Sequence, residues 1–488
     1  MDFTPLVPAS SIQSSACDLF VASVIFPSSL VVRSVATLGI ARVISLEPNF
    51  TRNIIAMRWS PSTTGSSRIL LVHSDKIVHI YDVMNQERCW TIDESESGIR
   101  HVEWSADGLD VLTWSDHHLY LSIWSLSGQG FVVPHPKAGS HSHSSRPGQP
   151  QQVAVLQREA QDQVSLASKA SDGEWTIAHT FSIDTTDACG LAWSPSGKWL
   201  AVWDHPIEYR ILIYTASGLL VRKYEAYDLG LGILSVVWST DGEYLAVGSY
   251  DGRVRLLNTF TFAPTTEILH NELVRDPSIQ AWREVFGATE RRYDSAQAPM
   301  SLPTAKALPT ELPKTGVSLL LFSPDGRHLV TRSDAMPTTL WIWSLAEMIP
   351  LALLVQLNAV KTVRWHPDES GLLVFSCQAT DKTSNNSVYL WCCDWDTPRI
   401  VEIPQPDFNM QWFEVFADKH TLEAGMLFGG QGVVTMGYLV DETMTCIGTI
   451  EEAESEGEVD RQEPASLNTF NGTSSLIIHD TLPAAVRV

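Results

Sequence analysis

The stretch VVWSTDGEYLAVGSYDGRVRLLNTF, residues 236–260, decides the fold. Val236, Val237 and Trp238 form a short apolar run. Ser239-Thr240-Asp241-Gly242 then supplies turn chemistry, and Tyr244 to Val247 reads as the next strand. Tyr250-Asp251-Gly252 turns the chain again into Val254 to Leu257. Asp251 is expected to accept hydrogen bonds within its own turn, while Gly252 supplies a positive φ.

The same phrase recurs on both sides. It is MRWSPSTTGSSRILLVHSDKIVHIYDV from Met57, VEWSADGLDVLTWSDHHLYLSIWSL from Val102 and LAWSPSGKWLAVWDHPIEYRILIYTA from Leu191. It returns as LLFSPDGRHLVTRSDAMPTTLWIWSL from Leu320 and more loosely as VRWHPDESGLLVFSC from Val363. The anchor aromatics Trp59, Trp104, Trp193, Trp238, Phe322 and Trp365 stand about 45 residues apart or about twice that, a period that marks an all-β propeller of the WD40 kind. Aromatics such as Trp343, late in each unit, are expected to wedge between blades. Asp251 and these aromatics are therefore assigned to the structure of the repeat.

Eight to nine units are expected, near 12–46, 54–90, 99–126, 131–183, 188–224, 233–262, 317–353, 360–403 and 408–440. The first and last have eroded turns. The fourth has lost its first strand and turn to the polar run at 131–152. This describes either an enlarged ring or a smaller one with a degenerate unit packed outside it. Residues 263–315 read as a Pro-rich insertion with a short helix over 277–292, because Ile279, Trp282 and Phe286 fall at i, i+3 and i+7. The apolar face of that helix would rest on the propeller's side or on another protein. Residues 441–488 read as an acidic, solvated tail.

Composition narrows the function. Of 488 residues 44% are hydrophobic, enough for a large core, and 33 Lys and Arg against 56 Asp and Glu give a net charge of −23. That field disfavours nucleic acid and anionic membrane as ligands. Seven cysteines without a C-x-x-C pair suit a reducing compartment, and the N-terminus reads as neither a signal peptide nor a span. No phosphate loop, H-E-x-x-H or G-x-S-x-G motif occurs, so no catalytic, cofactor-binding or metal-ligating residues are assigned. His135, His141 and His143 lie in a Ser/Pro/Gly run and read as a polar loop. Cys392 and Cys393, adjacent in a strand reading, would face opposite ways. Arg291-Arg292 is a poor match to the basic motif of phosphoinositide-binding propellers, and Trp395 to Arg399 is one residue too long for a cullin-receptor motif.

Two stretches go beyond the generic repeat: residues 200–258, with the phrases Leu-Ala-Val-Trp-Asp and Glu-Ala-Tyr-Asp-Leu-Gly-Leu-Gly-Ile, and residues 321–345. With His101 to Gly108 and the insertion from Arg275, they resemble the spindle-pole and centrosomal family known as WD-repeat protein eight. The resemblance implies a non-enzymatic scaffold at the microtubule-organising centre, in the cytoplasm and on the cytoskeleton. Its implied partners are a coiled-coil microtubule-anchoring protein and, in fungi, a minus-end-directed kinesin-14, which together hold microtubule minus ends. The alternative is a generic WD40 platform in another complex, such as a ubiquitin-ligase receptor or a translation-associated propeller. The departures in the first and fourth units mean that no binding surface is carried over there.

Candidate docking residues follow from the loops of the two best-formed neighbouring units. Residues 205–209 and 224–232 place Tyr209, Tyr227, Leu229 and Leu231 where short polar turns are usual. Such side chains are either rim packing or interface anchors. Trp282, following the second of these units, would extend the same surface.

Overall fold

The computed structural model describes residues 2–3, 7–8, 11–14, 20–25, 29–34, 39–46, 54–61, 68–74, 76–85, 89–127, 130–287, 291–305, 315–369, 371–378, 386–404, 408–417, 424–430 and 433–439. The acidic segment 441–488 lies outside the described residues. The chain forms a nine-bladed β-propeller. Each blade is an antiparallel meander whose first strand lies innermost, because the first strands of consecutive blades are the ones that approach each other. Blade one runs from Ser11–Ser14 to Ile40–Ser45, blade two from Ile54–Trp59 to Cys89–Asp93, and blade three from His101–Trp104 to Gly130–Pro134. Blade four runs from His143–Arg146 to Trp175–Ser182, blade five from Gly190–Trp193 to Leu220–Tyr224, and blade six from Ile233–Trp238 to Pro264–Leu269. Blade seven spans Val317–Phe322 to Ile349–Val355 and blade eight Val360–Trp365 to Arg399–Glu402.

Blade nine closes the ring. Its three strands Trp412–Ala417, Ala424–Gly429 and Val433–Leu439 receive a fourth from the N-terminus, where Asp2 pairs with Tyr438 and Phe3 with Gly437. A buried apolar cluster fills every seam, including the last, where Val21 of blade one meets Phe416 and Met436 of blade nine. Each fully buried Leu, Ile or Val in these seams contributes about 1.5–3 kcal/mol.

The repeated phrase builds its turn from one buried serine. Ser105, Ser194, Ser239 and Ser323 each accept from the backbone N–H five residues on, at 2.9–3.0 Å, and an Asp or Ser two residues on engages the hydroxyl. The glycine that follows, such as Gly242 at φ 75°, takes the left-handed conformation the turn needs. Trp59, Trp193, Trp238, Phe322, Trp343 and Trp365 are buried and Trp104 is half-buried. Each of the six anchors ends the first strand of its blade. Asp251 behaves as expected, accepting from Ser249 Oγ at 2.7 Å and from the Arg253 N–H at 3.0 Å, with Gly252 at φ 78°.

Three expectations are corrected. The fourth unit keeps its first strand: His143–Arg146 pairs with Gln149–Arg158 and lines the channel, where a polar Ser and His sequence is tolerated because one face meets solvent. Residues 263–269 belong to blade six, since Pro264–Leu269 is its outermost strand. The helix over 277–292 is absent. Gln280–Phe286 is a strand that adds in parallel to Ile349–Val355 and turns back as Arg291–Ala296, making a six-stranded seventh blade. The reason is a period of two hidden under the period of 3.6. Ile279 and Ala281 pack into the seam with blade six, whereas Trp282 packs on the cluster shared with blade eight. Glu284, on the face of Trp282, is fully buried and is held by Tyr389 Oη at 2.9 Å, Arg291 at 3.3 Å and the Leu357 N–H at 2.8 Å. A free sheet edge and a matched buried charge override the local helical pattern. Among the described residues, no helix is long and apolar enough to cross a membrane.

Candidate partner-docking site

The loops joining second to third strands and those joining one blade to the next emerge on the same rim of a meander propeller. In blade five these are residues 204–210 and 225–232. The first is shaped by Asp204, fully buried, whose carboxylate accepts from the N–H groups of Thr186, Asp187 and His205 at 2.8–2.9 Å and faces Arg210 at 3.4 Å. The second is pinned to the first where the Gly232 N–H donates to the Pro206 carbonyl. A Cβ at Gly232 would lie 2.7 Å from the Glu208 carbonyl oxygen, so only glycine permits this approach.

Beneath the loops lies an aromatic and cationic cluster. Arg255, 4% exposed, points its guanidinium at the Tyr209 ring from 5.2 Å and at Tyr227 from 5.6 Å. It is matched by Asp251 at 2.7 Å and Glu267 at 3.1 Å. Burial works to raise the Asp251 carboxyl, but hydrogen bonds from Arg255, Ser249 and the Arg253 N–H outweigh it and hold the group below its ordinary range. Burial pushes the Tyr209 phenol well up.

The five candidate side chains therefore separate. Tyr209 is buried and belongs to the seam between blades five and six, the packing alternative of its two sequence readings rather than the interface anchor. Tyr227 is half-buried, edge-on to Tyr209 at 4.8 Å, and donates its hydroxyl proton to the Leu231 carbonyl. It holds the loop. Leu229 is 91% exposed and Leu231 is 53% exposed. Ile207, which the sequence did not single out, is 70% exposed and stands one residue from the Pro206 contact. Exposed Asp228 and Asp184 and half-buried Glu208 border them, while Arg210 and Lys223 are engaged by Glu225 at 3.0 and 3.1 Å. Trp282 lies elsewhere, half-buried between blades seven and eight, and does not extend this surface.

The histidines His135, His141 and His143 do not converge. His141 rests edge-on against Trp203, whereas His143 reaches Glu103 at 2.9 Å, with His101 on the other carboxylate oxygen. The strand ends at Cys392, so Cys393 turns back. The two thiols and the Asp394 carboxylate then lie within 4.8 Å of one another, correcting the opposite-face reading. Burial, with the neighbouring Cys392 and Asp394 charges, pushes the Cys393 thiol up to about 11, which disfavours the thiolate a metal or electrophile needs.

Two inter-blade relays went unread in the sequence. The Trp343 N–H donates to Thr331 Oγ1 at 2.9 Å, and Thr331 lies 2.6 Å from His270 Nε2, whose Nδ1 faces the Gly252 carbonyl. Glu94 plays the part of His270 in the earlier copy, accepting from Thr113 Oγ1 and Trp124 Nε1 at 3.0 Å each. A Trp twelve or eleven residues after a Thr, with a His or Glu before the blade, was the available signal.

Comparison with known proteins agrees with this architecture. The model of the WD domain, G-beta repeat, matches residues 218–258, which run from the end of blade five through the third strand of blade six. The chain is 30% identical over 387 residues to WD repeat-containing protein WRAP73 of Mus musculus, covering 74% of this chain and 80% of that one. It is 26% identical over 463 residues to an uncharacterized WD repeat-containing protein of Schizosaccharomyces pombe, covering 91% and 93%. A crystal structure of a eukaryotic initiation factor superposes with a TM-score of 0.54 at 11% identity, over 82% of this chain and 88% of that one, a likeness of fold alone.

Proposed function

The chain belongs to the WD-repeat protein family, and on that premise we propose that it is a non-enzymatic adaptor at the spindle pole or centrosome, where it helps anchor microtubule minus ends through a coiled-coil partner and a kinesin-14. The propeller itself is a protein-interaction platform. What supports the finer reading is the resemblance carried by residues 200–258, which are also the residues that build the loops over the fifth and sixth blades. The observation that carries docking is Leu229, almost fully exposed on a loop fixed by the Gly232 and Tyr227 hydrogen bonds. An apolar side chain carried on a loop whose backbone is already pinned spares the cost of ordering that loop on binding and removes its apolar surface from water, the character of an interface anchor.

Affinity purification of the tagged chain with mass spectrometry tests the reading. Recovery of a coiled-coil microtubule-anchoring protein together with a kinesin-14 supports it. Recovery of ribosomal or ubiquitin-ligase subunits in their place overturns it.

A further inference from the structure

We propose that the groove between blades six and seven binds a short extended peptide in which basic residues flank an apolar one. The site is separate from the rim loops and does not rest on the function proposed above. The cavity measures about 610 Å³ and lies between the outermost strand of blade six, Pro264–Leu269, and the segment leading into the added hairpin. Trp341 and Trp343 line it, stacked at 5.5 Å and 10°. His270 stands edge-on to both rings and is tied to Thr331, so these aromatics are fixed before any ligand arrives.

Two observations specify the occupant. The lining is acidic. Glu267 is matched by Arg253 at 2.7 Å and Arg255 at 3.1 Å, which leaves Glu272 and Asp276 against Arg275 alone. Finally, among the described residues Pro264–Leu269 is paired on one side only, so its outer row of backbone groups is open to strand addition, beside Leu269 and Leu273, each 45% exposed. An extended segment adding there sets an apolar side chain against the aromatics and its basic neighbours beside Glu272 and Asp276.

Panning a phage-displayed random dodecamer library against the full chain tests this, with the doubly substituted Glu272→Lys, Asp276→Lys chain as counter-selection. Both carboxylates are exposed, so that chain keeps its fold, which a thermal melt verifies. The expected peptides carry Lys or Arg on either side of an apolar residue and bind the parent chain about tenfold more tightly than the double variant. A control with Glu225→Lys and Asp228→Lys is expected to bind like the parent. The proposal is overturned if no peptide distinguishes the double variant, if those that do are acidic or have apolar residues at helical spacing, or if the control weakens them equally.

Discussion

The indole N–H of Trp238 donates to the backbone carbonyl of Ala192, 3.1 Å away across the seam between blades five and six. Ala192 directly precedes Trp193, the anchor of the neighbouring blade. The same bond joins Trp104 to Arg58, beside Trp59, and Trp365 to Leu321, beside Phe322, each at 3.2 Å. A single residue type at one point of the repeat thus ends its own first strand and fastens it to the preceding blade. Trp193 differs. Its preceding blade carries Arg146 at the strand end, with the guanidinium 5.1 Å over the Trp193 ring, and the buried Trp193 N–H has no acceptor among the described residues.

That contrast sets the first expected outcome. Trp238→Phe, which keeps an aromatic ring and removes the donor, lowers stability by about 1 kcal/mol more than Trp193→Phe, where no bond is lost. Denaturant midpoints of the two variants at equal m-value check it. Equal losses would mean that the bonds across the seam add nothing.

His270 makes stability depend on acidity. Burial pushes its imidazole down to about 4, against a weaker opposing effect of the Gly252 carbonyl. The carbonyl can only accept, so Nδ1 carries the proton and Nε2 accepts from Thr331, an arrangement that requires the neutral ring. The groups facing it are Thr331, the Gly252 carbonyl and the Trp341 and Trp343 rings, none of which supplies a negative charge. A base with a depressed folded-state pKa contributes fully above its unfolded value near 6.5 and loses that contribution as pH falls toward 4. The loss is about 2 kcal/mol by pH 5. The stability gap between the parent chain and His270→Gln should therefore shrink between pH 7 and pH 5 in parallel denaturant titrations. A constant gap would contradict the relay.

Glu284 is the buried charge that fixes the added hairpin to blade eight. Glu284→Ala leaves Arg291 and Tyr389 without their shared acceptor and is expected to cost about 3–5 kcal/mol, as for a broken buried pair. Glu284→Gln, which retains a hydrogen-bonding oxygen, should cost less. Urea unfolding followed by near-ultraviolet circular dichroism separates them.

At the docking rim, stability and binding should part company. Leu229→Glu with Leu231→Glu changes exposed side chains and is expected to leave thermal stability within about 0.5 kcal/mol of the parent while weakening capture of the coiled-coil partner by about 2 kcal/mol or more. Tyr209→Ala opens a cavity beside Arg255 and should cost about 3–5 kcal/mol of stability. If the leucine pair binds normally, the docking face is elsewhere.

The blades were legible because their turns are local. Ser239, Asp241 and Gly242 carry the turn within four residues, and Trp238 marks where the strand before it ends. What escaped reading depends on distant chain. Asp2–Phe3 is too short to show a pattern and becomes a strand only against Val433–Leu439. His143–Arg146 lines solvent and so lacks the apolar signature of its counterparts. The 277–292 pattern satisfied a helical period and a strand period together, and the open edge of Ile349–Val355 decided between them. Tyr209 turned inward because Arg255, from the next blade, offers its guanidinium there. That left Leu229 and Leu231 as the exposed remainder of the sequence-based site and brought Ile207 beside them.

Live imaging of the fluorescently tagged chain through mitosis, beside its Leu229→Glu, Leu231→Glu variant expressed at the same level, bears most directly on the proposed adaptor role. The expected result is a focus at each spindle pole for the parent chain and a diffuse signal for the variant. A parent chain that stays uniformly cytosolic, or a variant that gathers at the poles as strongly as the parent, would contradict it.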